Sequence, residues 1–195
     1  MAKKVMIICG SPRENGNTMT LAGWAAEGAR AAGADVEIVD AAKLKYKVNG
    51  CTACMACQKM EQYRCVIDDE ATPVLARIAE KDMLVFASPV YFMGFSAQIK
   101  LLMDRMFSLV KIKGEDYTLA PGYAEIDYAL IASGGGRMED GLNLVEQNMQ
   151  AIAAFGKKTA KSLLIPFAPL EAGGLASNEE LRKKAVAFGE ELAGT

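Results

Sequence analysis

Cys51, Cys54, Cys57 and Cys65 form a C-x2-C-x2-C-x7-C run that holds four of the chain's five cysteines within fifteen residues. Thiolates are soft ligands that suit iron–sulfur clusters and zinc. Two-residue gaps let one turn of backbone wrap several sulfurs around one centre, and a 4Fe–4S cluster takes four cysteine thiolates, often on a C-x2-C-x2-C core. A closed tetrahedral zinc site from the same four thiolates is the alternative. Zinc frameworks more often come as two short knuckles with a long spacer, so the register favours a cluster. The sequence has no histidine. That excludes a Ser-His-Asp or Cys-His nucleophile, a histidine-ligated zinc and a Rieske-type centre.

Three other stretches could hold a ligand. Gly10-Ser11-Pro12-Arg13-Glu14-Asn15-Gly16-Asn17-Thr18 follows an apolar run and leads into a helix, whose free N–H groups and positive dipole end favour a phosphate. It is not a Walker A loop, because Asn17 stands where the lysine belongs. A terminal monophosphate suits it better than a triphosphate, and plain N-capping by Ser11, Asn17 or Thr18 is the alternative. Ser88-Pro89-Val90-Tyr91-Phe92-Met93-Gly94-Phe95-Ser96 reads as an aromatic loop fit for a flat ligand, or for burial against the next helix or a partner subunit. Ser133-Gly134-Gly135-Gly136 offers unobstructed backbone N–H groups, or a flexible turn.

The elements that must position these stretches alternate. Val5–Cys9, Asp35–Asp40, Met83–Ala87, Ile126–Ala132 and Lys161–Ile165 read as strands, the first a continuous apolar run of the kind a covered parallel sheet needs. Helices are expected over about 17–32, from Thr72 as N-cap with Pro73 at the first position, from Ala97 through Val110, around Leu142–Ile152, and after a Ser177/Glu180 capping box. Leu44, Tyr46 and Val48 alternate in an extended lead-in to the cysteines. Strand and helix in turn imply an α/β doubly wound five-stranded parallel sheet in one domain. Ligands then bind beyond the carboxyl ends of the strands.

A chain of 195 residues, 51% hydrophobic, can bury a core without disulfides. A net charge of −2 gives no basic footprint for nucleic acid. The apolar run after Lys3-Lys4 is too short for a signal peptide's core, and no stretch approaches a membrane span. A cytoplasmic protein is expected, in which close cysteines bind metal or catalyse rather than form disulfides. Cys9 reads as a buried small hydrophobe, Asp68, Asp69 and Glu70 as charges suited to a helix N-terminus, and Asp104-Arg105 as a local pair.

Taken together, Gly-Ser-Pro-Arg-x-Asn-Gly-Asn-Thr, the cysteine run ending Cys65-x-Ile67-x-Asp69, and Ser-Pro-Val-Tyr-Phe followed by Lys100-x3-Asp104-Arg105 resemble the flavodoxin-like NAD(P)H-dependent FMN reductases. The cysteine run resembles their iron–sulfur flavoprotein branch, and the similarity runs from Lys3 to about Gly136. The resemblance implies FMN, with its phosphate on Ser11, Arg13, Asn15, Asn17 and Thr18. It implies a ring against Pro89, Val90, Tyr91, Phe92, Met93 and Gly94, closed by Ser133, Gly134, Gly135 and Gly136. It implies a 4Fe–4S cluster on Cys51, Cys54, Cys57 and Cys65 that exchanges electrons with the flavin, and a homodimer or tetramer. Three functions fit: an iron–sulfur flavoprotein served by a ferredoxin-like donor, an NAD(P)H-dependent flavin or quinone reductase whose cysteines bind zinc or nothing, and a non-enzymatic flavodoxin-like carrier.

Overall fold

The computed structural model describes residues 1–194. In chain order the elements are β1 (Lys4–Cys9), α1 (Asn17–Ala31), β2 (Asp35–Asp40), α2 (Ala56–Lys59), α3 (Ala71–Ile78), β3 (Met83–Tyr91), β4 (Gly94–Phe95), α4 (Ala97–Met103), β5 (Val110–Lys113), β6 (Asp116–Leu119), β7 (Asp127–Ser133), α5 (Leu142–Phe155), β8 (Ala160–Ile165) and α6 (Glu179–Gly194). The main sheet runs β2-β1-β3-β7-β8 with all neighbours parallel, which is the flavodoxin-like order. Strand order reverses between β1 and β3, so their carboxyl ends open the crevice where such sheets bind ligands.

Parallel strands need crossovers, and the crossovers cover both faces. On one face Val5, Ile7, Val85 and Ile131 pack with Leu21, Ala25, Phe188 and Leu192 of α1 and α6. On the other, Ile8, Phe86 and Leu130 pack with Leu75, Ile99, Val145 and Met149. The two helices of the first face touch backbone to backbone: a Cβ on Gly189 would stand 1.9 Å from the Ala25 carbonyl oxygen. Cys9 lies in that core with no exposed surface, where burial pushes its thiol up to about 11.

Several stretches differ from the expectations, two of them where a tertiary contact outranks a local signal. The stretch expected as a loop after Ala87 continues as β3 to Tyr91, turns at Phe92 and Met93 with φ of 45° and 66°, and returns as β4. Ser96 anchors that return, donating from Oγ to the Gly10 carbonyl at 2.7 Å and from its N–H to Ser88 Oγ at 3.0 Å. The helix from Ala97 ends at Met103 and tightens into a 3-10 turn over Asp104–Leu109, so Val110 starts a strand rather than closing a stripe. Thr72 does not cap α3; the helix starts at Ala71, and the Thr72 hydroxyl accepts from Arg105 at 2.9 Å. Asn178, not Ser177, caps α6 by accepting the Leu181 N–H at 3.0 Å. Leu44, Tyr46 and Val48 do alternate half-buried with exposed neighbours, but they pair with no strand.

The hairpin β5–β6 had no expectation attached. It pairs Val110 with Leu119 through Lys113 with Asp116 as a separate two-stranded sheet. It sits against the cysteine loop, and that contact gives it a role.

Candidate functional site

Two pockets hold the residues singled out in the sequence. The first lies at the carboxyl ends of β1, β3 and β7, has a volume of about 230 Å³, and is walled by Ser11, Arg13, Gly16, Asn17, Thr18, Pro89, Val90, Tyr91, Ser133, Gly134 and Gly135 with Ala168, Pro169 and Leu170. Helix α1 enters it uncapped: its N-cap is Gly16, and no side chain takes the first-turn N–H groups. Those donors and the helix dipole make an anion seat. Thr18 Oγ1 and Ser133 Oγ meet at 2.7 Å, which ties the first loop to the third across the pocket floor. Ser11 is 5% exposed, and its hydroxyl bridges the Arg13 carbonyl and N–H at 3.2 and 3.3 Å.

Asn17 does something the sequence did not show. Its Nδ2 donates to the carbonyls of Pro169 at 2.7 Å and Glu171 at 3.1 Å, while its Oδ1 accepts from the Leu175 N–H at 3.1 Å. Arg13 Nη1 donates to the Leu170 carbonyl. Both side chains therefore hold the loop after β8 as the pocket's fourth wall. Ala168, Pro169 and Leu170 carry no ligand motif of their own; Pro166, Pro169 and the Gly173-Gly174 pair are the signal in the sequence, since they mark a fixed irregular loop. Asn15, Phe92, Met93, Gly94 and Gly136, also expected here, do not line the pocket. Phe92 projects fully into solvent, and Met93 rests its backbone on Gly141, where a Cβ would come within 2.8 Å of the Met93 Cα.

The second pocket gathers all four expected cysteines. Cys51, Cys54, Cys57 and Cys65 line one small cavity with Thr52, Ala53, Met55, Val66, Ile67, Arg105, Phe107 and Ser108. Cys57 and Cys65 are buried, Cys51 and Cys54 exposed. Ala53 and Met55 take left-handed φ of 51° and 57°, each directly beside a cysteine. Such reversals turn successive N–H groups toward one side, as in an anion-binding nest. The Ala56 N–H and then the Thr52 side chain hold the Cys54 thiol below the usual cysteine value. Among the described residues, no three acidic, histidine or cysteine side chains stand close enough together to grip a metal ion.

The loop between Cys57 and Cys65 is fixed from the hairpin. Lys111, 8% exposed, donates from Nζ to the carbonyls of Cys57, of Met60 at 2.9 Å and of Gln62 at 2.8 Å, and lies 5.2 Å from the Tyr63 ring centroid. Gln58 exchanges side-chain hydrogen bonds with the Val110 carbonyl and the Ile112 N–H at 2.8 and 3.0 Å. From the other side Arg105 Nη1 donates to both oxygens of Asp69 at 2.8 and 2.7 Å, and Nη2 to the Ile67 carbonyl at 3.0 Å. The expected local pair Asp104-Arg105 is therefore split: Asp104 bonds Lys100, and Arg105 bonds Asp69. Asp69 in turn serves this buried pair as well as the first N–H of α3, at 3.2 Å.

A family model described as NADPH-dependent FMN reductase matches residues 3–168. The chain belongs to that family. It is 39% identical over 102 residues to an iron-sulfur flavoprotein of Methanocaldococcus jannaschii, a match spanning 52% of this chain and 51% of that protein. It is 35% identical over 102 residues to an iron-sulfur flavoprotein of Methanosarcina thermophila, again over 52% and 51%. The matches thus span about half the length of these curated relatives. In fold it resembles an NAD(P)H:quinone oxidoreductase from Methanothermobacter marburgensis, with a TM-score of 0.74, 16% identity and coverage of 98% and 100% of the two chains. The FMN reductase family is described by the reduction of FMN with NADPH. Among the described residues no helix is long and apolar enough to cross a membrane.

Proposed function

We propose that this protein is an iron–sulfur flavoprotein, with FMN in the pocket at the sheet's carboxyl end and a 4Fe–4S cluster in the four-cysteine pocket. The observation that carries the cluster is a shared cavity, although no three of its cysteines stand at metal-binding distance from one another. Four cysteines spread over fifteen residues face one cavity, on a backbone that reverses beside them and is clamped by Lys111 and Arg105. The curated relatives named as iron-sulfur flavoproteins support the same reading. When bound, the flavin accepts electrons singly or in pairs and the cluster passes them singly.

The chain's own residues divide the work. The uncapped first turn of α1 and the Ser11 hydroxyl receive the FMN phosphate, with Arg13 at the rim. Pro89, Val90 and Tyr91 form one wall for the ring, and Gly134 and Gly135 the other. Asn17 holds the wall from Ala168 to Leu170, which excludes water from that side. Buried Cys57 and Cys65 and exposed Cys51 and Cys54 would supply the four ligand sulfurs. The electron donor is a ferredoxin-like protein or NAD(P)H, and the assembly a homodimer or tetramer.

The deciding experiment is metal, acid-labile sulfide and flavin analysis of protein purified without oxygen. About four iron and four sulfide per chain beside FMN is the expected result. Zinc or no metal beside FMN would leave an NAD(P)H-dependent flavin or quinone reductase with a structural cysteine loop.

The phosphate seat has its own test. Ser11→Ala is expected to weaken FMN by about ten- to a hundredfold, because a hydrogen bond to a charged group contributes about 1.5–3 kcal/mol and about 1.4 kcal/mol is tenfold in affinity. Riboflavin, lacking the phosphate, should hardly change. Asn17→Ala should weaken both ligands alike, since it releases a wall rather than a phosphate contact. Fluorescence titration with the two flavins separates these patterns, and equal losses for Ser11→Ala would remove the phosphate from this loop.

A further inference from the structure

Arg105 and Ser108 share the cysteine pocket's wall with the four cysteines, and each is almost wholly inaccessible, at 1% and 2% exposed. The terminal nitrogens of Arg105 are occupied by Asp69, Ile67 and Thr72. Its Nε is not: Arg105 Nε and Ser108 Oγ are both buried without a hydrogen-bond partner. Leaving such a group unsatisfied carries its full desolvation cost, and native proteins keep few of them. Two on the wall of one pocket call for an acceptor on its sulfur side. Besides the Thr52 hydroxyl, the polar side chains lining the rest of that pocket are the four thiols, and the Cys65 sulfur is already a hydrogen-bonding and electrostatic partner of the guanidinium.

A closed zinc tetrathiolate offers these donors only thiolate sulfur. An iron–sulfur cluster offers inorganic sulfide as well, on the faces turned toward the protein. We propose that Arg105 Nε–H and Ser108 Oγ–H donate hydrogen bonds to the sulfur of a cluster held by Cys51, Cys54, Cys57 and Cys65, and so raise its reduction potential. This rests on the cluster reading above. Hydrogen bonds to cluster sulfur favour the more negative reduced form, and such outer partners are a recognised lever on potential. The charge of Arg105 is balanced by the Asp69 carboxylate, so the effect is carried by the hydrogen bonds. Both are positioning and tuning residues, and neither is a ligand.

The test uses the full chain, purified and kept without oxygen, as wild type, Ser108→Ala and Ser108→Thr. Ser108→Ala is expected to lower the cluster's midpoint in an optical redox titration and to shrink the shift of its iron–sulfur Raman modes on exchange into D2O. It should also lose iron to a chelator several-fold faster. Ser108→Thr, which keeps the hydroxyl, should restore all three. In the apoprotein the sign reverses: Ser108→Ala removes an orphan and should melt at the same temperature as wild type or higher. Arg105→Lys keeps a cation for Asp69 but removes the Nε–H, and should also lower the midpoint. A Ser108→Ala protein with its full iron and sulfide, and with wild-type midpoint and D2O shift, would overturn this inference while leaving the cluster in place. Wild-type protein without labile sulfide would overturn both, and would show it before any variant is made.

Discussion

Arg105→Ala is expected to destabilise the apoprotein by about 3–5 kcal/mol, the cost of stranding a buried charge when its partner is removed. The pair has no solvent to fall back on: the Arg105 and Asp69 side chains are 0% and 1% exposed. The guanidinium also joins three segments, since it reaches Asp69 and Ile67 before α3 and Thr72 within it, from the 3-10 turn after α4. Denaturant unfolding of wild type and variant measures the cost. A loss under about 1 kcal/mol, the level of an exposed pair, would mean that water reaches the site. Replacing Asp69 and Arg105 together by Leu and Met should cost less than Arg105→Ala, because no lone charge remains.

The same pair fixes a pH dependence. Burial alone would raise the Asp69 carboxyl, but hydrogen bonds from Arg105 and the Lys47 N–H outweigh it and hold the group below the usual carboxylate range. A carboxyl depressed in the folded state contributes stability that is fully present above its unfolded value, about 3.9. That contribution is lost as pH falls through the lower folded value. Wild type should therefore weaken in acid more steeply than Asp69→Asn, which has no carboxyl to protonate.

The sheet was legible because its signals are local and redundant. The apolar run Val5–Cys9 and the strand ends at Gly10 and Ser133 each say buried parallel strand without reference to the rest of the chain. What was missed depended on partners far away in sequence. Asn17 reads as a cap or a phosphate ligand, yet its amide is taken by carbonyls more than 150 residues on. Arg105 looks like half of a local pair with Asp104, yet its partner is 36 residues back. Neither reading is separable from sequence, because side-chain amides and guanidinium groups bond whatever the fold brings within reach. Ser88-Pro89 looked like a strand end because proline punctuates. Here it falls where β3 leaves its β1 partner, so no ladder bond is lost and the strand continues.

The two pockets share no residue, which makes Cys54→Ser the sharpest single change. A hydroxyl is a hard, neutral ligand at neutral pH and replaces a soft thiolate poorly on iron. Cluster absorbance and labile sulfide should fall to background in the variant, while FMN stays bound within about twofold of wild type, inside the ±0.5 kcal/mol usual for a remote surface change. Cys54 suits the experiment because it is exposed, so the substitution disturbs no core packing. Cys65→Ser would mix ligand loss with damage to the Arg105 network. Iron and flavin measured on the same sample read both outcomes. Iron retained at the wild-type level would exclude Cys54 as a ligand, and flavin lost along with iron would mean that the cysteine loop and the β1–α1 loop form one cooperative site despite their separate walls.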